Sequence, residues 1–330
     1  MRRLRGVLDP VLREAVGRLP EPVGIAAGYQ FGWCDERGAP VVGAGGKGIR
    51  PVLALLCAEA VGGRAESAAR AAAAVELVHN FSLMHDDIID GDTTRRHRAT
   101  AWAAFGIGTA TLSGDALLAL AVDVLAASSE GDVAGAVRLL GRALVDLADG
   151  QAADVAFETR RDVGCEEYLS MAAGKTAALI SCACALGALF GGGEPGVVDR
   201  LAEFGRQLGL AFQMVDDVLG IWGDPAVTGK PAFSDLRSRK KTYPVVLALA
   251  SGSEPALQFA ALYRRPEPLG ESEIGDAVRY LDQAGCREHT EQEARRRLEL
   301  AVASLAAAAP VQHAAKDLIS LARLVIDRHH

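Results

Sequence analysis

Sequence patterns typical of β-sheets are scarce in this chain of 330 residues. Alternation of apolar and polar residues is nowhere sustained, and aromatic residues make up only 5% of the chain. Half of the residues are hydrophobic, and apolar residues recur at intervals of three and four. No linker rich in proline, serine or charge separates two halves. The sequence therefore predicts an all-α protein with a single domain over residues 1–330.

Paired cysteine spacings and basic stripes are also missing. The six cysteines lack the spacing of a metal site, and we interpret them as small core residues of a protein in a reducing compartment. The net charge is −7, and no run of basic residues interleaved with aromatics is present. These features exclude an ordinary nucleic-acid-binding protein.

No apolar run reaches the roughly 20 residues that a bilayer span needs. The longest runs are Ala116 to Ala127, which Asp123 interrupts, and Ala177 to Phe190. Near the N-terminus, Asp9 and Glu14 stand where a signal peptide would have its apolar stretch. We therefore expect a cytoplasmic protein without a transmembrane segment.

Two aspartate-rich segments lie inside predicted helices. Residues 86–90 read Asp-Asp-Ile-Ile-Asp near the end of a helix predicted from Ala71 to Asp90. Residues 216–220 read Asp-Asp-Val-Leu-Gly in a second helix, which is predicted to begin at Pro195. Carboxylates at Asp86 and Asp90 share one helix face and repel unless a cation lies between them.

Apolar neighbours of both segments argue against the alternative of a solvated acidic face. Hard oxygen ligands on two helices, with room for water and phosphate, suit a Mg2+-diphosphate site better than a closed Ca2+ or Zn2+ cage. Each segment also has a later acid, Asp92 or Asp224. The pattern predicts a divalent metal site.

Basic residues accompany both acidic segments. They are Lys47, Arg50, His79, Arg95, Arg96 and the broken basic segment 223–241. Guanidinium groups match phosphate oxygens in a bidentate way, so arginine pairs beside acids indicate diphosphate binding. Two alternatives stay open: His79 as a core residue of its helix, and the segment 223–241 as a solvated loop.

Eight motifs in order, from about residue 43 to 246, resemble the trans-isoprenyl diphosphate synthases, and geranylgeranyl diphosphate synthases most of all. The motifs are Gly-Gly-Lys47-x-x-Arg50-Pro, Glu76-x-x-His79, Asp86-Asp87-x-x-Asp90, Arg95-Arg96, Gly150-Gln151, Lys175-Thr176, Phe212-Gln213-x-x-Asp216-Asp217 and Lys230. The resemblance implies a single-domain bundle of mainly antiparallel helices around a deep central cavity, usually assembled as a homodimer.

The resemblance also implies the roles of individual residues. Three Mg2+ ions, bridged by the diphosphate of an allylic substrate, would be held by Asp86, Asp90 and Asp216, with Asp87, Asp217 and Asp224 as further candidate ligands. The same diphosphate would be bound by Arg95, Lys175 and Lys230. The diphosphate of isopentenyl diphosphate would be bound by Lys47, Arg50, His79 and Arg96. The allylic cation would be faced by Thr176, Gln213 and the carbonyl of Lys175.

One position departs from the family pattern. The second motif of these enzymes usually ends in Asp, and here Gly220 stands in that place. We expect activity with weaker metal binding, and compensation by Asp217 or Asp224 through water. Restoring Asp at residue 220 is then expected to lower the Mg2+ requirement.

The implied activity is the Mg2+-dependent head-to-tail condensation of isopentenyl diphosphate with an allylic diphosphate, giving a short-chain all-trans prenyl diphosphate. Phe81 precedes Asp86 by five residues, roughly 7.5 Å along a helix, and Ser82 is small. The aromatic ring of Phe81 would then form the floor of the cavity into which the prenyl chain grows. In the enzymes that this chain resembles, an aromatic residue at this position with none at the next goes with a C20 product, geranylgeranyl diphosphate. Farnesyl diphosphate or a longer product, a terpene cyclase and a noncatalytic partner of a synthase are the alternatives.

Overall fold

The computed structural model describes residues 2–41, 46, 48–129, 131–225, 232–265 and 267–326, and is 77% helical. The first seven helices are α1 (Arg2–Val16), α2 (Val23–Gln30), α3 (Ile49–Ala60), α4 (Ala69–Ile89), α5 (Ala101–Phe105), α6 (Ile107–Ala126) and α7 (Val133–Thr159). They are followed by α8 (Cys165–Ala172), α9 (Ala178–Phe190), α10 (Pro195–Trp222), α11 (Ser234–Arg237), α12 (Tyr243–Ala250), α13 (Glu254–Tyr263), α14 (Glu271–Gln283), α15 (Cys286–Ala307) and α16 (Gln312–Ile326).

Non-α elements are short. A 3-10 turn, Ala65–Ala68, precedes α4, and a π turn, Ala173–Ala177, joins α8 to α9. Two antiparallel strands of two residues each, β1 (Thr94–Arg95) and β2 (Arg98–Ala99), form a hairpin after α4. The all-α prediction is confirmed.

The chain separates into two compact units. Unit 1 comprises Met1–Arg142, Cys182–Ala202 and Leu305–Leu318. Its centre is α4, which packs against α1, α3 and α6. A run of buried alanines, residues 71–74, lets neighbouring helices approach the first half of α4. The last turn of the same helix carries the first acidic motif.

Unit 2 comprises Ala143–Ser181, Glu203–Ser304 and Ile319–His330. One core cluster of this unit joins the end of α10 to the helices that follow it, and consists of Ile221, Leu236, Val245, Ala248, Phe259, Tyr263, Ala277, Leu281 and Cys286. The second acidic motif lies on α10 just before Ile221. The division into two compact units does not test the single domain expected from the sequence, which stays a prediction.

Among the residues that the structure describes, two helical stretches are long and apolar enough to cross a membrane, where the sequence led us to expect none. They are α6 and the stretch Cys165–Phe190, and α12 with α13 would form a third, bent by 114°. The apolar run from Ala177 is longer in the structure because α8 and the π turn continue it into one 26-residue stretch. Of its apolar window, 67% is buried inside the fold, against 39% for α6. A helix that is apolar on all sides also occurs in the core of a large protein.

Candidate active site

The first acidic motif presents its three aspartates in two different environments. Asp87 is buried, with 1% of its surface exposed, whereas Asp86 and Asp90 are half-buried. Arg95 donates to Oδ1 of Asp87 from Nε at 2.7 Å and from Nη2 at 2.6 Å. Burial nonetheless raises the pKa of Asp87 to about 6, and its Oδ2 atom has no hydrogen-bond partner. Asp87 therefore anchors Arg95 beside the motif.

The hairpin after α4 holds Arg95 and Arg96 in place. Thr100 Oγ1 and Trp102 Nε1 each donate to the carbonyl of Asp92 at 2.8 Å, which closes the base of the hairpin. Arg96 adopts a φ of 52° in the turn, a left-handed conformation that is uncommon outside glycine. This backbone directs the Arg96 guanidinium towards Gly46, where a Cβ atom would lie 2.9 Å from Nη1.

A second group in unit 1 combines Arg50 at the start of α3 with the middle of α4. Nη1 of Arg50 lies 3.2 Å from Nε2 of His79. Because a guanidinium can only donate, His79 accepts with a neutral ring. Burial, and then the charge of Arg50, holds the pKa of His79 well below its usual range. The sequence placed both residues in one anion site, and the structure brings them together.

Glu76 lies one turn before His79 and faces the same cations. Burial raises the pKa of this carboxyl to about 7, although Arg50 and Arg96 oppose the shift. Asn80 Nδ2 lies 3.3 Å from Glu76 Oε1, and Oε2 has no hydrogen-bond partner. Arg50 and Arg96 bring more positive charge than this single carboxyl can offset, so this group of side chains suits an anionic ligand.

In the second acidic motif, Asp217 is tied into the core of unit 2. It accepts hydrogen bonds from the Tyr168 hydroxyl, from the backbone N–H of Tyr243 at 2.7 Å and from Gln213 Nε2 at 2.9 Å. Burial raises the pKa of Asp217 to about 7 in spite of these three donors. Asp216, the preceding residue, is half-buried. In both motifs, therefore, the first aspartate is half-buried and the second is buried.

A π turn places Lys175 and Thr176. Such turns occur frequently at functional sites because they change the direction of side chains and carbonyls on a helix. Gly150 on α7 makes the turn possible here: a Cβ atom at this position would lie 2.1 Å from the backbone nitrogen of Lys175. Lys175 forms an ion pair with Asp154, a residue that the sequence reading missed. Its signal was its position one turn after Gly150-Gln151 on α7.

Hydrogen bonds connect Thr176 to the second acidic motif through Gln213. Its hydroxyl donates to Oε1 of Gln213 at 2.5 Å, while the amide of Gln213 donates to Asp217. Since the only hydroxyl proton is used on Gln213, the remaining lone pairs of Thr176 Oγ1 can face a positive charge. The structure thus brings Lys175, Thr176 and Gln213 into one part of unit 2.

The donor set fits a hard divalent cation. Asp86 and Asp90 offer carboxylate oxygens one helical turn apart, which Mg2+ prefers to nitrogen or sulfur. Over the ranges that the structure describes, no group of three or more His, Cys, Asp or Glu residues is placed to hold a metal ion. Mg2+ usually keeps several waters and takes substrate phosphate oxygens, so one or two carboxylates suffice.

Residues 32–281 match the family model described as polyprenyl synthetase. The chain belongs to the polyprenyl synthetase family. Over 329 residues it is 44% identical to a geranylgeranyl diphosphate synthase of Mycobacterium tuberculosis, covering 99% of this chain and 93% of the relative. A (2E,6E)-farnesyl diphosphate synthase of the same species is 43% identical over 325 residues, with 98% and 90% covered.

A solved structure supports the same assignment. The crystal structure of a polyprenyl synthetase from Streptomyces coelicolor A3(2) has a TM-score of 0.93 and 44% identity, covering 99% of this chain and 98% of that one. The chain therefore has the all-α isoprenoid synthase fold and is a prenyltransferase. The family is in general Mg2+-dependent. The family resemblance read from the sequence is confirmed.

The predicted floor for the prenyl chain lies on α4. Ser82 is buried, and its hydroxyl donates to the carbonyl of His79 at 2.9 Å. Phe81 is half-buried and packs edge-on against His85, with ring centroids 4.7 Å apart. Nε2 of His85 lies 3.2 Å from the carbonyl of Thr111 on α6, and Gly114 leaves the space for this ring. The sequence reading missed His85 and Gly114.

Three further predicted ligands take no part in the contacts described above. Lys47 and Lys230 lie outside the described residues. Asp224 is exposed and follows the end of α10 at Trp222. Their roles, like those of the other predicted site residues, stay predictions.

Proposed function

We propose that this prenyltransferase condenses isopentenyl diphosphate head-to-tail with an allylic diphosphate and releases geranylgeranyl diphosphate as its main product. The observation that carries the proposal is the group of Arg50 and His79 in the same unit as the first acidic motif. A synthase binds two diphosphates and needs basic residues besides those at the metal motif. A terpene cyclase acts on one diphosphate and has no use for this second group.

The allylic diphosphate is the proposed ligand of the acidic motifs. Mg2+ would be held by Asp86, Asp90 and Asp216, and when bound it supplies positive charge that neutralises the diphosphate as the allylic C–O bond breaks. Further cations for the same group are Arg95, Lys175 and Lys230. Two of them have fixed acidic neighbours: Asp87 orients Arg95, and Asp154 orients Lys175. Such preorganisation lets the side chains stabilise the leaving group without first moving.

Isopentenyl diphosphate is the proposed ligand of Lys47, Arg50, His79 and Arg96. Its double bond attacks the allylic cation, and the new cation then loses a proton to the released diphosphate. Thr176 Oγ1, Gln213 and the carbonyl of Lys175 face the positive charge in this proposal. The hydrogen bond from Thr176 to Gln213 supports it, because it leaves hydroxyl lone pairs for the cation.

The proposal of a C20 product is based on two residues of α4 and not on the name of any relative. Geranylgeranyl and farnesyl diphosphate synthases match this chain at 44% and 43% identity, so identity does not discriminate between the two products. Phe81, with the small Ser82 beside it, favours a floor deep enough for C20. Farnesyl diphosphate and a longer polyprenyl diphosphate are the alternatives.

A homodimer and a cytoplasmic location complete the proposal. Ile107, Leu112 and Val122 on α6 expose 57%, 61% and 40% of their surfaces. Large apolar residues exposed along one helix are typical of an association surface. Light scattering on the purified protein measures the oligomeric state, and a monomer at micromolar concentration would contradict the dimer.

The deciding experiment supplies the purified enzyme with isopentenyl diphosphate and, separately, with dimethylallyl, geranyl or farnesyl diphosphate. Products are dephosphorylated and separated by chromatography, with and without a chelator. A synthase yields a C20 alcohol only when isopentenyl diphosphate and a divalent metal are both present. Hydrocarbon release from an allylic diphosphate alone would identify a cyclase, and no turnover with any pair would identify a noncatalytic partner.

A further inference from the structure

The carboxylate of Asp235 occupies the space that a side chain at residue 220 would fill. A Cβ atom built on Gly220 would lie 1.9 Å from Oδ2, 2.5 Å from Cγ and 3.0 Å from Oδ1 of Asp235. These distances are well inside van der Waals contact, so any side chain at residue 220 would displace Asp235. Glycine at this position is what admits the carboxylate.

The space at residue 220 lies close to Asp216 on α10. Residue 220 follows Asp216 by four residues, so the two share one face of the helix, with Cβ positions about 5–6 Å apart. An acid at residue 220 would therefore present its carboxylate beside that of Asp216. In this chain the carboxylate at the same place belongs to a different segment, α11.

Several contacts within unit 2 fix α11 at the end of α10. Leu236, next to Asp235, is fully buried in the core cluster that also contains Ile221. The hydroxyl of Ser234 lies 3.4 Å from the carbonyl of Gly220, and the backbone N–H of Lys240 donates to the Asp235 carbonyl at 2.9 Å. The backbone of Asp235 is thus fixed by Lys240 and by its neighbours Ser234 and Leu236, and the Ser234 hydroxyl also lies 3.2 Å from its Oδ1.

The other acids of the region are poorly suited to replace residue 220. Asp217 is buried and accepts three hydrogen bonds from Tyr168, Tyr243 and Gln213. Asp224 is exposed and lies beyond the last residue of α10. Asp235 is half-buried and directly adjoins the helix face of Asp216.

We propose that Asp235 supplies, from α11, the carboxylate that the second acidic motif lacks at residue 220, and that it contributes an oxygen to the Mg2+ site of Asp216. The inference rests on the proposed function, because it takes Asp216 as a metal ligand. It also reverses an expectation drawn from the sequence. Asp at residue 220, added alone, displaces Asp235 and does not improve metal binding.

The first test measures metal binding rather than turnover. Electron paramagnetic resonance follows Mn2+ binding in the presence of inorganic diphosphate for the wild type and the Asp235→Asn variant. We expect Asp235→Asn to raise the half-saturating Mn2+ concentration of at least one ion by about tenfold or more. Asp276→Asn is the matched control, since Asp276 is a surface partner of Arg279, and should change it by less than about twofold.

An exchange of the two positions separates a ligand role from a structural one. Gly220→Asp alone and Asp235→Ala alone should each weaken Mn2+ binding, whereas the double variant Gly220→Asp/Asp235→Ala should recover most of the affinity. Circular dichroism and thermal melting verify that each variant is folded. Tighter binding by Gly220→Asp alone, or a double variant no better than Asp235→Ala, would overturn the inference.

Asp216→Ala distinguishes this inference from the proposed function. If Asp216→Ala binds Mn2+ as the wild type does, the metal role of the second motif is wrong altogether. If Asp216→Ala loses Mn2+ while Asp235→Asn keeps it, only the role of Asp235 is refuted, and prenyl transfer by the wild type is unaffected.

Discussion

Tyr168 on α8 donates its hydroxyl proton to the buried carboxylate of Asp217 on α10. The same carboxylate accepts the first backbone N–H of α12, at Tyr243. One acid of the second motif therefore joins three helices of unit 2, while its neighbour Asp216 is the proposed metal ligand. In this proposal, the first aspartate of the pair binds metal and the second stabilises the fold.

Removing the Tyr168 hydroxyl should destabilise the protein. Tyr168→Phe leaves a lone pair of a fully buried carboxylate without its donor, which costs about 1–3 kcal/mol of unfolding free energy. Tyr243→Phe is the matched control, because Asp217 keeps its backbone donor there. Urea unfolding followed by circular dichroism measures both variants. Equal losses in the two would contradict a structural role for the Tyr168 hydrogen bond.

Both motifs should be needed for turnover but not for folding. Asp86→Ala and Asp216→Ala remove carboxylates proposed to hold Mg2+, so each should lower kcat by orders of magnitude. Both residues are half-buried, and the helical circular dichroism should be retained. Steady-state assays at saturating Mg2+ give the measurement, with Asp276→Ala as the surface control. Near-normal turnover in either motif variant would remove that residue from the metal site.

The sequence was sufficient to predict the helices that carry the motifs. The predicted helix from Ala71 to Asp90 is α4 at Ala69–Ile89, and the helix predicted from Pro195 is α10 at Pro195–Trp222. Apolar periodicity and a proline in the first turn are local signals, and both survive in the fold.

The sequence did not predict which residues contact the site residues. Helix spacing shows that Asp86 and Asp87 point in different directions, but not that Arg95 would bind the second of them. Asp154 and Asp235 belong to none of the eight motifs, and their positions depend on close approaches: of the Lys175 backbone to Gly150, and of the Asp235 carboxylate to Gly220. Such contacts are set by the tertiary packing of segments far apart in the chain.

Glu76 should make stability depend on pH in a predictable direction. Burial raises its pKa from 4.5 in the unfolded chain to about 7 in the folded protein. Between these values the unfolded chain releases a proton that the folded protein retains, so this carboxyl lowers stability as pH rises from 4.5 towards 7. Above that range its contribution is constant.

Glu76→Gln isolates this effect because the amide does not titrate. The unfolding free energy of the wild type minus that of Glu76→Gln should fall as pH rises through this window, in metal-free buffer. Urea unfolding at several pH values measures the difference. A flat difference would show that folding leaves the pKa of Glu76 unchanged, and a difference that rises with pH would show that folding lowers it.

Product length gives the sharpest test of α4. A prenyl chain that starts at Asp86 and grows towards the N-terminus of α4 reaches Phe81 after roughly 7.5 Å. Phe81→Ala should remove that floor and shift products beyond C20. Ser82→Phe should raise the floor by one residue and shift products towards C15, although Ser82 is buried and the new ring must enter the space that the prenyl chain would use.

His85 provides the control for this prediction, because it separates the floor from its support. His85 packs on Phe81 and occupies the space that Gly114 leaves on α6. His85→Ala removes this support but keeps the aromatic floor, so we expect a broader product range that still centres on C20. Chromatography of the dephosphorylated products compares the three variants. If Phe81→Ala and Ser82→Phe both keep the wild-type length, then the floor is formed by other residues, and the C20 assignment loses the observation on which it rests.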